Sequence, residues 1–512
     1  MFKSKWLMLL ILSLWASHSL AEVKFVFASE APTDTKSRAI FVSDVDKLNS
    51  AATDIQKNSN GQMLSALSAQ KFEAKKDAIT TLYSVGGNDR LVVVGLDQDQ
   101  KFDHVTLQNL GGKIAKSMGV ELNDQTVAID ISGLGDIQAD AAAYVALGYQ
   151  LQNYRFDKYK TKKLNTNGKV VFVTDTHAQA EKTYSNDLKH IAHGVYLTRN
   201  LSSEPGQTIY PQSFVDAVKS EFKGIKNVKL KVLSLKEMEK YNMGALMGVG
   251  KGSIHEPKLL VIEYSGAASD QQPIAIAGKG ITFDTGGISL KSNSGMWAMK
   301  SDTAGAAAVA GTIYAAAMRG EKVNLVGLMA MAENMPAANA IRPGDVLPTM
   351  QGTTIEVIST DAEGRLVLAD AVFYAQQEYK PRMLINIATL TGSASRALGD
   401  EYAVVITRDW ALSQQMMKVG DASGEHVWPL PLHPNHFEQI KSDIADIKNS
   451  GAGNPGASIG AAVIGTFVAE DMPWVHLDIA SVDWYTEATD TTPKGSSGWG
   501  VRFLDQLIRQ NK

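Results

Sequence analysis

Short apolar runs rich in β-branched residues recur along the chain and alternate with stretches of amphipathic, helix-like texture. Arg90–Gly95 is such a run and ends in glycine, as buried strands do; Thr126–Ile131 and Lys169–Thr174 share its character. Between them His104–Ser117 and Asp140–Tyr149 read as helices. Val23–Ser43 reads as extended segments broken by an Ala31-Pro32-Thr33 turn, and the lysine-rich Lys158–Lys169 as a surface loop. Alternation of this kind predicts an α/β domain over residues 22–184. Ser185–Asn200 has the spacing of an amphipathic helix leading into a second unit. Beyond Leu201 the chain grows richer in glycine, alanine and methionine. Strands are expected there at Lys229–Leu233, Leu259–Tyr264, Pro273–Ala277, Asn324–Met329, Thr354–Val357, Met383–Ile387 and Trp474–Ile479. Ala304–Met318 and Leu368–Glu378 read as helices between them. The expected fold is therefore α/β in two domains, a smaller N-terminal one and a larger C-terminal one (185–512) around a central mixed sheet.

The first 21 residues stand apart from this pattern. Lys3 and Lys5 precede the apolar run Trp6–Ala16, and Ser19-Leu20-Ala21 supplies small residues at the −3 and −1 positions of a cleavage site. The run is short for crossing a bilayer. Met1–Ala21 is read as a signal removed after Ala21, and the protein as exported to the periplasm or secreted. An uncleaved anchor is the competing reading, and the small residues argue against it. No other apolar stretch reaches spanning length, so no membrane association is expected after cleavage.

Composition narrows the chemistry further. Fifty basic and 54 acidic residues give a net charge of −4, and no polybasic tract is present, so nucleic acid is not an expected partner. The chain contains no cysteine. Disulfides, thiolate zinc sites and cysteine nucleophiles are excluded, and any metal must be held by oxygen and nitrogen ligands.

The segment Ala277–Gly287 carries one lysine (Lys279) and one aspartate (Asp284) in an apolar run that feeds a glycine-dense turn. Glycines there let backbone approach a ligand closely, and a carboxylate at a strand's C-terminal end sits where α/β folds place their sites. A phosphate-cradling loop is the alternative. However, Gly280 follows Lys279 where a Walker loop needs Ser or Thr, and Phe283 stands where a dinucleotide loop needs its third glycine. Lys291 and Asp302 follow, then Asp361-Ala362-Glu363-Gly364-Arg365 between apolar flanks. In extended backbone, residues two apart share a face, so Asp361, Glu363 and Arg365 can converge, and the apolar flanks argue for partial burial. Buried charges require partners or a metal. Asp284, Asp302, Asp361, Glu363 and Lys279 suit a pair of divalent cations, Zn²⁺ or Mn²⁺ with Mg²⁺ possible.

Taken together, Gly278–Gly287, the downstream lysine and aspartate, and Thr360–Leu366 resemble the leucyl (cytosol-type) aminopeptidase family. The likeness extends through Ala332–Pro336, Arg342–Val346, Thr389–Gly392 and His476–Ala480, and covers essentially all of Leu201–Ile508. It implies a metalloexopeptidase that releases N-terminal amino acids from peptides through a hydroxide activated by two metals. By the same resemblance Asp284 and Glu363 bridge the ions, Asp361 completes the first site, and Lys279 and Asp302 complete the second. Lys291 is implied to steady the oxyanion, and Arg365 to hold a bicarbonate that serves as general base. Met299 and Thr389 match positions lining the pocket for the first side chain, implying Leu- or Met-like preference. A homo-hexamer is likewise implied. One departure is Ser359, where the family usually has asparagine; altered local hydrogen bonding is expected there rather than loss of metal.

Two other chemistries and one non-enzymatic role compete. Gly456-Ala457-Ser458-Ile459-Gly460 fits a serine nucleophile elbow, but Asn449–Pro455 before it reads as loop where the motif needs a strand. Ser458 is instead expected to begin a helix at Ala461–Glu470. His190/His193 and His433/His436 lack the glutamate of a histidine metalloprotease motif, and His476 reads as a buried strand residue. A binding protein on a retired scaffold would have no reason to keep the complete set of charged residues.

Overall fold

The computed structural model describes residues 23–135, 137–451 and 456–511, so the proposed signal Met1–Ala21 lies outside the described residues. Six strands form the first sheet in the spatial order Lys24–Ala28, Lys169–Val173, Thr126–Asp130, Ser37–Val42, Asn88–Gly95 and Ile79–Val85. Neighbours are parallel except the last pair. That edge strand escaped the hydrophobic pattern because Thr80, Thr81, Tyr83 and Ser84 interrupt it. Its partner is reached through Gly86-Gly87, both at positive φ, as a two-residue hairpin turn requires. Helices pack on both faces: His104–Met118 and Ala141–Gln152 on one, Ser50–Asn58 and Gln62–Ala69 on the other.

The second sheet has eight strands in the order Val427–Pro429, Ala403–Ile406, Trp474–Asp478, Met383–Ala388, Ile274–Asp284, Asn324–Asn334, Lys258–Ser265 and Val228–Leu233. Its centre is parallel and its margins contain antiparallel pairs. Alternate residues of each strand enter opposite cores, as the two-residue period of a strand demands. Ile274, Ile276, Ile385 and Ile387 join Ala304–Arg319 and Val501–Gln510 on one side. Ala275, Ala277, Leu384 and Ala388 join Gly364–Tyr379 and Gly456–Gly465 on the other. These two packed domains match the α/β expectation.

Several expected elements are corrected. The strand expected to stop at Ala277 runs on to Asp284, so the glycines at 278 and 280 are strand residues rather than turn residues. The reason is packing: a Cβ on Gly278 would stand 2.5 Å from the Gly305 carbonyl oxygen, so glycine lets the helix after Asp302 lie directly on the strand. Only Thr285–Gly287 forms the turn, with Gly286 and Gly287 at positive φ. The strand expected at Thr354–Val357 is reduced to Ile355–Glu356 in a separate three-stranded sheet. The linking helix is a longer path: His177–Thr183, a π turn at Tyr184–Leu188, then Lys189–Ser203. It bridges two cores, since Ile191, Ala192 and Val195 belong to the first and Leu197 and Leu201 to the second. Buried Arg199 on this helix donates to the carbonyls of Leu151, Thr491 and Ser497, pinning one domain to the other.

Candidate metal centre

The centre forms where the parallel strands of the second sheet end. Strand Ile274–Asp284 carries Lys279 at mid-length and Asp284 as its last residue. Asp302 closes a 3-10 segment, Met296–Thr303, that leads into Ala304–Arg319. Glu363 is the N-cap residue of Gly364–Tyr379 and has helical backbone angles. The segment from Asp361 to Arg365 is therefore a turn entering a helix, not the extended strand read from the sequence. Asp361 and Glu363 still converge, while Arg365, close enough to feel both charges, donates from Nη1 to the Asn449 carbonyl at 2.9 Å.

Lys279 Nζ lies 2.8 Å from Asp302 Oδ1 and 2.8 Å from Glu363 Oε1, and donates to the Thr389 carbonyl at 2.9 Å. Lys291 Nζ lies 2.8 Å from Asp284 Oδ2 and 2.5 Å from Asp361 Oδ1. All five sequence-predicted ligands and Lys291 thus meet in one cluster. Carboxylate oxygens of Asp284, Asp361 and Glu363 come within 4.8 Å of one another. A Cβ on Gly364 would stand 2.7 Å from Lys279 Cδ, so glycine at the helix start is what admits the lysine.

Four carboxylates face two ammonium groups, leaving a formal excess of two negative charges in a buried site. The strain of that imbalance is visible in the acidities. Burial, reinforced by the Glu363 and Asp302 charges, pushes Asp284 up to about 7. Burial also raises Asp302 and Asp361. Burial would raise Glu363 too, but Lys279 and Lys291 outweigh it and hold its carboxyl below the ordinary range. Asp302 Oδ2 and Glu363 Oε2 are buried with no hydrogen-bond partner among the described residues. Unsatisfied carboxylate oxygens in an over-negative, oxygen-rich pocket are what divalent cations neutralise, and the residues present fit such ions.

Supporting contacts were not legible as such. Asn334 Nδ2 donates to Asp284 Oδ1 at 2.7 Å and to the Thr360 carbonyl at 3.0 Å, fixing one ligand relative to the next. Thr389, read as pocket lining, donates through Oγ1 to Asp302 Oδ1 at 2.6 Å and so positions the centre itself. Met299 is half-buried, three residues before Asp302. Ser359 Oγ accepts from the Asp361 N–H at 3.2 Å, so this serine braces the turn that presents Asp361 to the cluster. Asn449 holds the same turn from outside, through the Ser359 and Ala362 carbonyls. Asn334 falls in a segment that carried the resemblance, which was the one available signal for it. Asn449 lay in a glycine-rich stretch with none.

The competing motifs find structural roles. Ser458 lies inside helix Gly456–Gly465, which begins earlier than expected, and donates to the Pro431 carbonyl at 2.7 Å. His193 pairs with Glu221, and His433 and His436 cap the helix Pro434–Gln439. His476 is fully buried beside Asn386. Among the described residues no helix is long and apolar enough to cross a membrane.

Fold and centre together define a two-domain α/β metallohydrolase. The chain matches the catalytic-domain model of the cytosol aminopeptidase family over residues 196–505 and the N-terminal-domain model over residues 39–163. It belongs to that family, and is a metal-dependent aminopeptidase that removes residues from peptide N-termini. A probable cytosol aminopeptidase of Rickettsia bellii (strain RML369-C) is 40 % identical over 498 residues, spanning 95 % of this chain and 98 % of that one. Another, from Afipia carboxidovorans, is 40 % identical over 498 residues, spanning 96 % and 98 %. Among solved structures, a mutant of tomato leucine aminopeptidase superimposes with a TM-score of 0.85 at 27 % identity, spanning 96 % of this chain and 97 % of that one. The bottromycin maturation enzyme BotP in complex with Mn gives 0.80 at 27 % identity, spanning 95 % and 99 %.

Proposed function

We propose that the centre holds two divalent ions, Mn²⁺ or Zn²⁺ with Mg²⁺ possible, and cleaves the first peptide bond of substrates with Leu- or Met-like N-terminal residues. The observation that carries this reading is the pair of orphaned oxygens, Asp302 Oδ2 and Glu363 Oε2, in a buried cluster with excess negative charge. Asp284 and Glu363 would bridge the ions, Asp361 would serve one, and Lys279 with Asp302 the other. When bound, the ions supply Lewis acidity that activates water and polarises the scissile carbonyl.

The chain's own groups do the remainder. The Asp302 and Glu363 carboxylates hold the Lys279 proton in place, keeping its pKa well above the ordinary lysine range despite burial. Neutralising those carboxylates releases that proton and frees the amine to ligate. Lys291 is the more accessible lysine and reaches the open side of the cluster, where its fixed positive charge can hold a developing oxyanion. Arg365 is buried, and its Nε has no partner among the described residues. Gly460 packs beside it: a Cβ there would stand 3.5 Å from Nη2, in ordinary contact, and 2.7 Å from Leu390 Cδ2. Arg365 thus holds bicarbonate beside the cluster, placing a proton acceptor where no side chain supplies one. Met299 offers an apolar wall for the first side chain.

Assembly as a homo-hexamer, and export directed by Met1–Ala21, complete the proposal; the relatives' names say cytosol, and N-terminal sequencing of the mature protein decides between the two locations. The function itself is tested with leucine p-nitroanilide. Hydrolysis abolished by chelation and restored by Mn²⁺ or Zn²⁺, with two equivalents bound, is expected. Activity that survives chelation but is lost to a serine-directed inhibitor would overturn the reading.

A further inference from the structure

The segment that supplies Asp302 carries charged and aromatic groups that bond cleavage does not use. The 3-10 segment Met296–Thr303 has three residues per turn, so residues three apart eclipse. Met296, Met299 and Asp302 therefore share one face, and Trp297 and Lys300 share the next. Trp297 is 64 % exposed, unusual for so large an apolar side chain. Its ring meets Trp484 edge to face, with centroids 5.9 Å apart. Lys300 Nζ lies 6.0 Å from the Trp297 centroid and 5.4 Å from that of Trp484. Trp484 is tied to the same segment through its neighbour Asp483, whose Oδ2 accepts from Ser301 Oγ at 2.7 Å.

Among the described residues Lys300 has no carboxylate within ion-pairing distance. The acid whose charge it feels, Glu204, is itself paired with Lys158 at 2.6 Å. Indole faces attract a cation but do not neutralise it, so a half-buried ammonium of this kind is completed by an incoming anion. Its backbone lies two residues from Asp302, roughly 4 Å along the segment, on a face distinct from the methionines.

We propose that Lys300, framed by Trp297 and Trp484, receives the free C-terminal carboxylate of a short peptide, while the two indoles pack on the residue following the scissile bond. This rests on the aminopeptidase reading and deepens it, assigning dipeptides and tripeptides as the substrate class. A longer chain would carry its carboxylate beyond reach and leave Lys300 unpaired.

The test compares kcat/KM for Leu-Phe with that for its C-terminal amide, as a ratio within each protein loaded with Mn²⁺. The wild-type enzyme is expected to favour the free acid roughly tenfold, as one charge-assisted contact at a partly exposed site gives. Raising the ionic strength should lower that ratio. Lys300→Gln should bring it near one and Lys300→Arg should retain it, whatever the absolute rates. Trp297→Ala should narrow the preference for Leu-Phe over Leu-Gly. A wild-type ratio near one, or the same ratio in Lys300→Gln, overturns the proposal. Hydrolysis of leucine p-nitroanilide by the same preparations keeps the two readings apart: its absence in the wild type would count against the aminopeptidase, and its presence without acid–amide discrimination against this subsite alone.

Discussion

Both domains stack helices on a largely parallel sheet, yet their strand ends differ sharply. In the first sheet the parallel strands close at Ala28, Val42, Gly95, Asp130 and Val173. The one charged end, Asp130, is spent on its own chain, accepting from the Ser132 N–H at 3.0 Å. In the second sheet the corresponding ends are Asp284, Asn334, Ala388 followed by Thr389, and Asp478. Asp284 also serves its own turn, accepting from the Gly286 N–H at 2.8 Å, but it accepts from Asn334 Nδ2 of the adjacent strand as well, and Thr389 Oγ1 donates to Asp302 on another element. Shared architecture does not make a site; what matters is whether polar strand ends are left over after local hydrogen bonding is satisfied.

That contrast can be broken most severely at the centre. Glu363→Ala should remove a carboxylate proposed to hold both ions and lower activity about a thousandfold or more, the effect of losing several kcal/mol of metal-derived stabilisation. Metal content measured on the same sample should fall below two equivalents. Lys291→Ala should keep both equivalents yet reduce kcat about 10²–10³-fold, as loss of one preorganised oxyanion donor does. Equal metal loss in both variants would mean that Lys291 helps to hold the ions rather than the oxyanion.

A gentler probe uses His476, behind the centre in the second sheet. Burial pushes its pKa down to about 3, so the fold keeps it neutral where an unfolded chain would protonate it. Its contribution is complete above about pH 6.5 and is lost as pH falls toward 3, by a few kcal/mol in all. Thermal unfolding of the wild type should fall more steeply from pH 6.5 to 4 than that of His476→Gln; parallel curves would refute this. The smallest effect belongs to the first domain. Gly87→Ala places a side chain at positive φ with open space around it, and should cost about 1 kcal/mol in denaturant titration. Peptidase activity should not change, and a large loss would show the two domains to be more tightly coupled than their separate cores suggest.

Most of the architecture was readable because its signals are local. Buried strands such as Leu91–Gly95 and Met383–Ile387 are short apolar runs, the second broken only by Asn386, and their helices keep a helical period. Where the reading failed, a distant partner decided. Gly278 and Gly280 look like turn residues until helix Ala304–Arg319 lies against them. Asp361–Arg365 looks extended until Glu363 begins a helix. Ile79–Val85 looks polar because it sits at an edge and is paired on one side only.

The chain by itself determined which side chains were available: carboxylates and a lysine without cysteine, in an order that resembles one family. It determined nothing about who supports them. Thr389 under Asp302, Asn334 beside Asp284, and Asn449 against Arg365 are contacts between residues 50 to 87 positions apart. Such pairs follow from how strands are ordered across a sheet, and strand order is settled by the burial of two whole cores, not by any local pattern.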